Sequence, residues 1–226
     1  MEIDNRFDSE FQIIESLNKN WLPWIGADYF ESQNKLLIVG ESVYLTDEID
    51  VTQYDYIRKL IEKEGMLQGW YETNQFIGER HKKLEKILSV NSEDKNAKIN
   101  FWRKSGYYNL IQTPLDSRKE KDRPHYKYFL DGWNTFFQVI NITQPHYCLM
   151  NGVESFNHFY DRYAKKFGLS AIEKIKLDKI GNTSPRKIIL KNESTEKATI
   201  LLFIKHTSLP MICENWEKLV SEQIKF

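Results

Sequence analysis

Cysteine and net charge are both scarce in this chain. Only two of the 226 residues are cysteine: Cys148 lies in an apolar run, and Cys213 lies near the C-terminus. Two thiols cannot build a four-thiolate zinc or iron–sulfur site, and so few favour a reducing compartment without a disulfide. The 32 Lys and Arg residues balance 32 Asp and Glu residues. With no global field, any surface that binds a polyanion must be a local patch.

Long hydrophobic segments are also missing. The first ten residues, MEIDNRFDSE, are acidic and polar where a signal peptide needs a basic start and an apolar stretch, and no apolar run approaches membrane-spanning length. We therefore expect a cytoplasmic protein without membrane segments. The chain does contain 41% hydrophobic and 14% aromatic residues. This is ample for one buried core, so we expect a single domain over residues 1–226.

Short apolar runs alternate with segments of helical spacing. Four runs have the composition of strands buried on both faces: KLLIVG ending at Gly40, YYNLIQ at 107–112, HYCLMNG at 146–152, and TILLFIKH ending at His206. Helical spacing occurs between and after them, at 127–140, 153–167 and 211–224. The alternation predicts an α/β fold with three α/β/α layers, in which a central, mainly parallel four-stranded sheet has helices on both faces.

Two polar segments complete this prediction. The β-rich runs around NESTEK, within RKIILKNESTEKATILLFIK, predict an extra hairpin near the C-terminus. The charged stretch at 89–98, SVNSEDKNAK, is typical of a solvated surface loop.

In a parallel sheet the carboxyl ends of the strands are where ligands bind, so the residues that follow each apolar run are the candidates for function.

The strand ends carry short motifs in a recognisable order. An apolar strand leads into GESVY, a strand carrying Asn109 precedes a polar loop with proline, and a last strand leads into HTSLP. This order resembles the uracil-DNA glycosylase superfamily, whose first motif reads GQDPY or GEAPG, whose second contains a base-reading asparagine, and whose last is HPS. The likeness spans about residues 35–216. It implies hydrolysis of the N-glycosidic bond of uracil, or of a related modified pyrimidine, flipped out of single- or double-stranded DNA.

The resemblance assigns catalytic and base-binding roles. Glu41 would activate water or balance the cationic sugar, and His206 would donate a hydrogen bond to the pyrimidine carbonyl as charge develops. Asn109 would read the Watson–Crick edge of the base. Tyr44 would lie against the fifth carbon of the pyrimidine ring and exclude thymine, which carries a methyl group there. The base pocket would also include Gly40 and Ser42.

The resemblance also assigns the DNA contacts. Leu209 stands where the family places an apolar wedge, and Ser208 would contact a phosphate. The same DNA-binding loop contains Lys205 and Thr207. The flipped base needs an aromatic partner, which the sequence leaves open among Tyr54, Tyr56, Trp70, Tyr71 and Phe76. Local positive charge would come from the cluster at 118–127 together with Arg80, Lys82 and Lys83.

We expect a monomer without metal or cofactor, although this chain departs from the family in its first motif. Ser42 replaces the aspartate of GQDPY, and Val43 replaces the proline. Glu41 matches GEAPG, but that branch carries a four-cysteine iron–sulfur cluster. The departures leave two alternatives open: a catalytically silent protein that binds nucleic acid or a protein partner, and an enzyme for another modified pyrimidine. A nucleotide-phosphate site at Gly40 lacks the spaced glycines and the lysine-serine loop that it would require.

Overall fold

A mixed sheet of seven strands forms the centre of the computed structural model, which describes residues 2–45, 52–62, 75–91, 93–116 and 124–226. Its spatial order is β1-β4-β2-β6-β9-β8-β7. The strands are β1 (Trp24–Ile25), β2 (Leu36–Gly40), β4 (Ser105–Asn109), β6 (Tyr147–Asn151), β7 (Leu169–Lys176), β8 (Arg186–Asn192) and β9 (Ala198–Ile204). A separate parallel pair consists of β3 (Tyr44–Leu45) and β5 (Leu115–Asp116).

Strand direction divides the sheet into a parallel centre and antiparallel margins. Strands β4, β2, β6 and β9 are parallel to one another. The margins are antiparallel, because β1 pairs with β4 on one side while β8 pairs with β9 and β7 on the other. The prediction of a four-stranded, mainly parallel sheet is therefore wrong. The predicted C-terminal hairpin is confirmed, because β8 pairs antiparallel with β9. The strands β1 and β7 escaped prediction because β1 has two residues and β7 is half exposed, so neither forms a continuous apolar run.

The helices cover both faces of the sheet. The helices α1 (Asp8–Gln12), α5 (Tyr126–Thr143), α6 (Glu154–Asn157) and α7 (Asp161–Lys166) pack on the face that includes Leu37 and Val39. The other face, which includes Leu36 and Ile38, is covered by α2 (Tyr56–Leu60), α3 (Gln75–Ile87), α4 (Lys95–Lys104) and α8 (Cys213–Gln223). Alternating residues of the same strand thus enter two separate hydrophobic clusters, as the period of a strand requires.

The segment at 89–98 is not simply a surface loop. The carboxylate of Asp94 accepts hydrogen bonds from the backbone N–H groups of Asn96 and Ala97, at 2.8 and 3.2 Å, and so caps α4 at its N-terminus. Lys98 is fully buried, with its Nζ atom 3.9 Å from an oxygen of the equally buried Glu85. Burial raises the pKa of Glu85. The charged composition concealed a helix whose lysine points inward.

No helix within the described ranges is both long and apolar enough to cross a bilayer.

Candidate functional site at the carboxyl edge

The parallel centre has a topological switch point between β2 and β6. The chain passes from β2 to β4 on one side of β2, and later to β6 on its other side. Gly40 is in register with Asn109, and Asn151 is in register with Ile204, so the four parallel strands end at the same edge of the sheet. We call this the carboxyl edge. Connections that diverge in this way open a crevice beyond the strand ends, where open α/β sheets bind ligands.

Glu41 lies in that crevice. Its carbonyl accepts a hydrogen bond from the backbone N–H of Ile111, at 2.9 Å, which fixes the main chain against β4. Its carboxylate crosses to the end of β6, because a Cβ atom built on Gly152 would lie only 2.8 Å from Oε2 of Glu41. Gly152, at φ +139°, also donates its N–H to the carbonyl of Ile204 at 3.1 Å. The carboxylate therefore lies beside the strand that leads into His206.

Gly40 is required by a close approach of β4. A Cβ atom at this position would lie 2.1 Å from Oδ1 of Asn109 and 2.6 Å from the hydroxyl of Tyr107. The Tyr107 hydroxyl donates a hydrogen bond to the same Oδ1 at 3.3 Å, and the side chain of Gln112 donates to the Asn109 carbonyl. Asn109 is only 2% exposed. Its amide is thus held over Gly40 in a closely packed position.

His206 is oriented by the loop that follows β9. The backbone N–H of Ser208 donates to Nδ1 of His206 at 3.2 Å, and the Ser208 hydroxyl lies 2.6 Å from the same nitrogen. A backbone N–H can only donate, so Nδ1 is an acceptor and the neutral ring carries its hydrogen on Nε2. The N–H of Leu209 donates to the His206 carbonyl at 3.0 Å and closes the turn. The site therefore contains an imidazole N–H donor.

One residue that the sequence left without a role, Asn151, holds this loop in place. Oδ1 of Asn151 accepts the backbone N–H of Thr207 at 2.9 Å, and its Nδ2 donates to the Thr207 hydroxyl at 3.1 Å. Thr207 is 1% exposed. Its side chain therefore positions the loop from inside, and its contact with DNA stays a prediction. The signal available in the sequence was an asparagine at the end of a strand, directly before a glycine.

The remaining predicted residues differ in their surroundings. The ammonium of Lys205 donates to the carbonyl of Pro210 at 2.6 Å, within its own loop. Leu209 is 43% exposed, as a wedge residue would be. The Ser42 hydroxyl is buried and has no hydrogen-bond partner among the described residues. The backbone of Tyr44 enters β3, while its side chain lies outside the described atoms.

The stacking aromatic and the basic cluster stay predictions. Tyr54 is largely exposed, whereas Tyr56 is buried beside Trp21, with ring centroids 6.4 Å apart. Trp70 and Tyr71 lie outside the described residues, as do positions 118–123 of the basic cluster and the side chain of Phe76. No three His, Cys, Asp or Glu side chains converge to hold a metal ion within the part of the chain that the structure describes.

The sequence matches no protein-family model and no curated protein.

Proposed function

We propose that the protein is a monofunctional DNA glycosylase that uses water to hydrolyse the N-glycosidic bond of uracil, or of a related modified pyrimidine, flipped out of DNA. The substrate is single- or double-stranded DNA, and the enzyme acts as a cytoplasmic monomer. The observation that carries the proposal is the position of the Glu41 carboxylate, which lies over Gly152 beside the strand end that leads into His206. A carboxylate and an imidazole donor on one sheet edge are the two groups that this hydrolysis requires.

The two groups have complementary tasks. Departure of the base leaves negative charge on the pyrimidine, and a donor aimed at its carbonyl lowers the barrier. His206 supplies such a donor as a neutral ring, because Nδ1 accepts the Ser208 N–H. The sugar becomes cationic at the same time. Glu41 balances that charge or takes a proton from the attacking water.

The width of the edge supports a pyrimidine as ligand. Asn109 ends β4 and His206 follows β9, with β2 and β6 between these strands. Three strand spacings amount to about 14 Å, a width that suits one pyrimidine ring between a side chain on each outer strand. The Ser42 hydroxyl, which is buried and lacks a partner within the described part of the chain, is a further group that a bound base or water would satisfy.

A second candidate function is a silent glycosylase-like protein that binds nucleic acid or a protein partner through the same pocket. Ser42 favours it, because a serine cannot supply the negative charge of the aspartate in GQDPY. The low exposure of Asn109 favours it as well, since a base can be read only if it reaches the amide. This candidate predicts binding of oligonucleotides without cleavage.

The decisive experiment uses labelled oligonucleotides carrying one uracil, single- and double-stranded, incubated with the full chain and then treated with alkali. We expect strand cleavage by the wild type, and a loss of about 100-fold or more for both Glu41→Gln and His206→Ala. Glu222→Gln makes the same chemical change at an exposed position of α8 and should retain full activity.

Leu209→Ala should lower cleavage of the duplex more than cleavage of the single strand, because only the duplex needs a wedge.

Two other outcomes separate the candidates. Cleavage that survives both substitutions would show that other residues perform the chemistry. Binding of the oligonucleotides without cleavage would favour the silent protein or an enzyme for another modified base. A set of oligonucleotides carrying different modified pyrimidines then distinguishes those two.

A further inference from the structure

Three basic side chains meet at the opposite edge of the same sheet. Lys35 directly precedes β2, His146 directly precedes β6, and Lys197 directly precedes β9. These strands are parallel neighbours. Lys35 and His146 lie side by side, because Leu36 is in register with Tyr147, and Lys197 lies two residues further out, because Tyr147 is in register with Ile200. We call this the amino edge. The three residues line a cavity of about 50 Å³ together with polar residues that include Asn192 and Thr195.

The backbone fixes His146 in one orientation. Its own N–H donates to the carbonyl of Lys35 at 3.0 Å, and its Nδ1 accepts the N–H of Lys35 at 3.0 Å. Because Nδ1 accepts, the neutral ring carries its hydrogen on Nε2. The carbonyl of His146 accepts the N–H of Ile200 at 2.9 Å. The cavity is thus lined by an imidazole whose N–H donor is set by the main chain.

The charges at the amino edge are unbalanced. No carboxylate pairs with Lys35, His146 or Lys197 among the residues that the structure describes. Both acidic residues of the adjoining hairpin turn are engaged elsewhere, since Glu196 pairs with Lys191 and Glu193 accepts from Ser170. Burial and the nearby Lys197 lower the pKa of Lys35, while burial, Lys35 and Lys197 lower the pKa of His146. The basic groups therefore lie close enough to repel one another.

We propose that the amino edge is a binding site for a phosphate group held by Lys35, His146 and Lys197. Two ammonium groups match the charge of a phosphate dianion, and the His146 N–H adds a hydrogen bond. Asn192 contributes a further donor, because its Oδ1 is occupied by Ser194 and Thr195. A cavity of about 50 Å³ exceeds the roughly 10–15 Å³ that one water requires on the same measure, so it has room for a phosphate group.

The C-terminus of α5 offers a competing explanation for the lysines. Gln144 ends this helix beside the cavity, and the partial negative charge of a helix C-terminus attracts cations. That attraction would place lysines here without any ligand. It does not require the neutral donor of His146 or a cavity, so a measurement of phosphate binding separates the two explanations. The proposal is independent of the glycosylase activity, which belongs to the carboxyl edge.

The test is a titration of the full chain with inorganic phosphate, followed through the imidazole resonances of His146. Sodium chloride at matched ionic strength is the reference. We expect a saturable shift of these resonances and a rise in the pKa of His146, because the dianion favours the charged ring. Lys197→Gln, at an exposed position, should weaken phosphate binding by about tenfold.

Lys191→Gln is the matched control on the same hairpin. It removes the same charge from a lysine that pairs with Glu196, so phosphate binding should change by less than about twofold. Methyl phosphate distinguishes the sources of the ligand: equal affinity identifies free phosphate, and tighter binding identifies a phosphate monoester. The proposal is overturned if chloride produces the same shift, if no saturation occurs by about 20 mM phosphate, or if Lys191→Gln and Lys197→Gln have equal effects.

Discussion

The carboxyl and amino edges of the parallel strands differ in how their polar and charged groups are paired. Polar groups at the carboxyl edge satisfy one another: Asn151 bonds Thr207 through both amide atoms, and Tyr107 bonds Asn109. Basic groups at the amino edge meet without a carboxylate among the described residues. The first arrangement holds side chains in defined orientations, whereas the second leaves charge that a ligand can neutralise. The two edges therefore suit different ligands.

The close packing at Gly40 is the most sensitive feature of the carboxyl edge. Gly40→Ala places a Cβ atom within 2.1 Å of Oδ1 of Asn109, so the buried amide must move. We expect a loss of about 3 kcal/mol in the free energy of unfolding, measured by urea denaturation. Gly181→Ala is the control, because its Cβ meets nothing within 4 Å and only the backbone strain at φ +57° remains. That variant should lose about 1 kcal/mol. Equal losses would show that Gly40 is not closely packed.

The bond between Asn151 and Thr207 has the next largest expected effect. Asn151→Ala removes the acceptor of a buried backbone N–H and the donor to a buried hydroxyl, which should cost about 2 kcal/mol of stability. Asn157→Ala removes an exposed amide that bonds Glu154, and it should cost less than about 0.5 kcal/mol. If the carboxyl edge is held as described, Asn151→Ala also alters the resonances of His206. Unchanged resonances would contradict the positioning role.

Replacing His146 at the amino edge should have the smallest effect on stability, and the sign of that effect depends on pH. The pKa of His146 lies below its ordinary value of 6.5 because burial, Lys35 and Lys197 disfavour the charged ring. A lowered pKa gives stability that is complete above 6.5 and is lost as the pH falls through the folded-state pKa. The wild type should therefore lose stability relative to His146→Gln on acidification in phosphate-free buffer. Phosphate should reduce that loss. If the stability of the wild type and of His146→Gln changed with pH in parallel, the positive charge would not be crowded around His146.

Local sequence pattern identifies the residues proposed for function, but it does not identify the residues that hold them in place. Glu41, Asn109 and His206 follow or end apolar runs, and the structure brings all three strand ends to one edge. Their catalytic and base-reading roles remain predictions. Tyr107 and Asn151 act through contacts with residues that no local pattern relates to them. The composition of the 89–98 segment also predicted a solvated position for Lys98, because nothing in a charged run indicates that its helix turns this lysine toward Glu85.

By itself, the sequence determined the α/β character of the chain and its four innermost strands, because strands buried on both faces must be continuously apolar. It also determined that an isolated glycine ends the first of them. Only the tertiary structure decided how many strands join the sheet, since short or half-exposed margins are stabilised by pairing with neighbours rather than by their own composition. Only the tertiary structure, likewise, placed Lys35, His146 and Lys197 together, because parallel pairing brings distant strand beginnings to one edge.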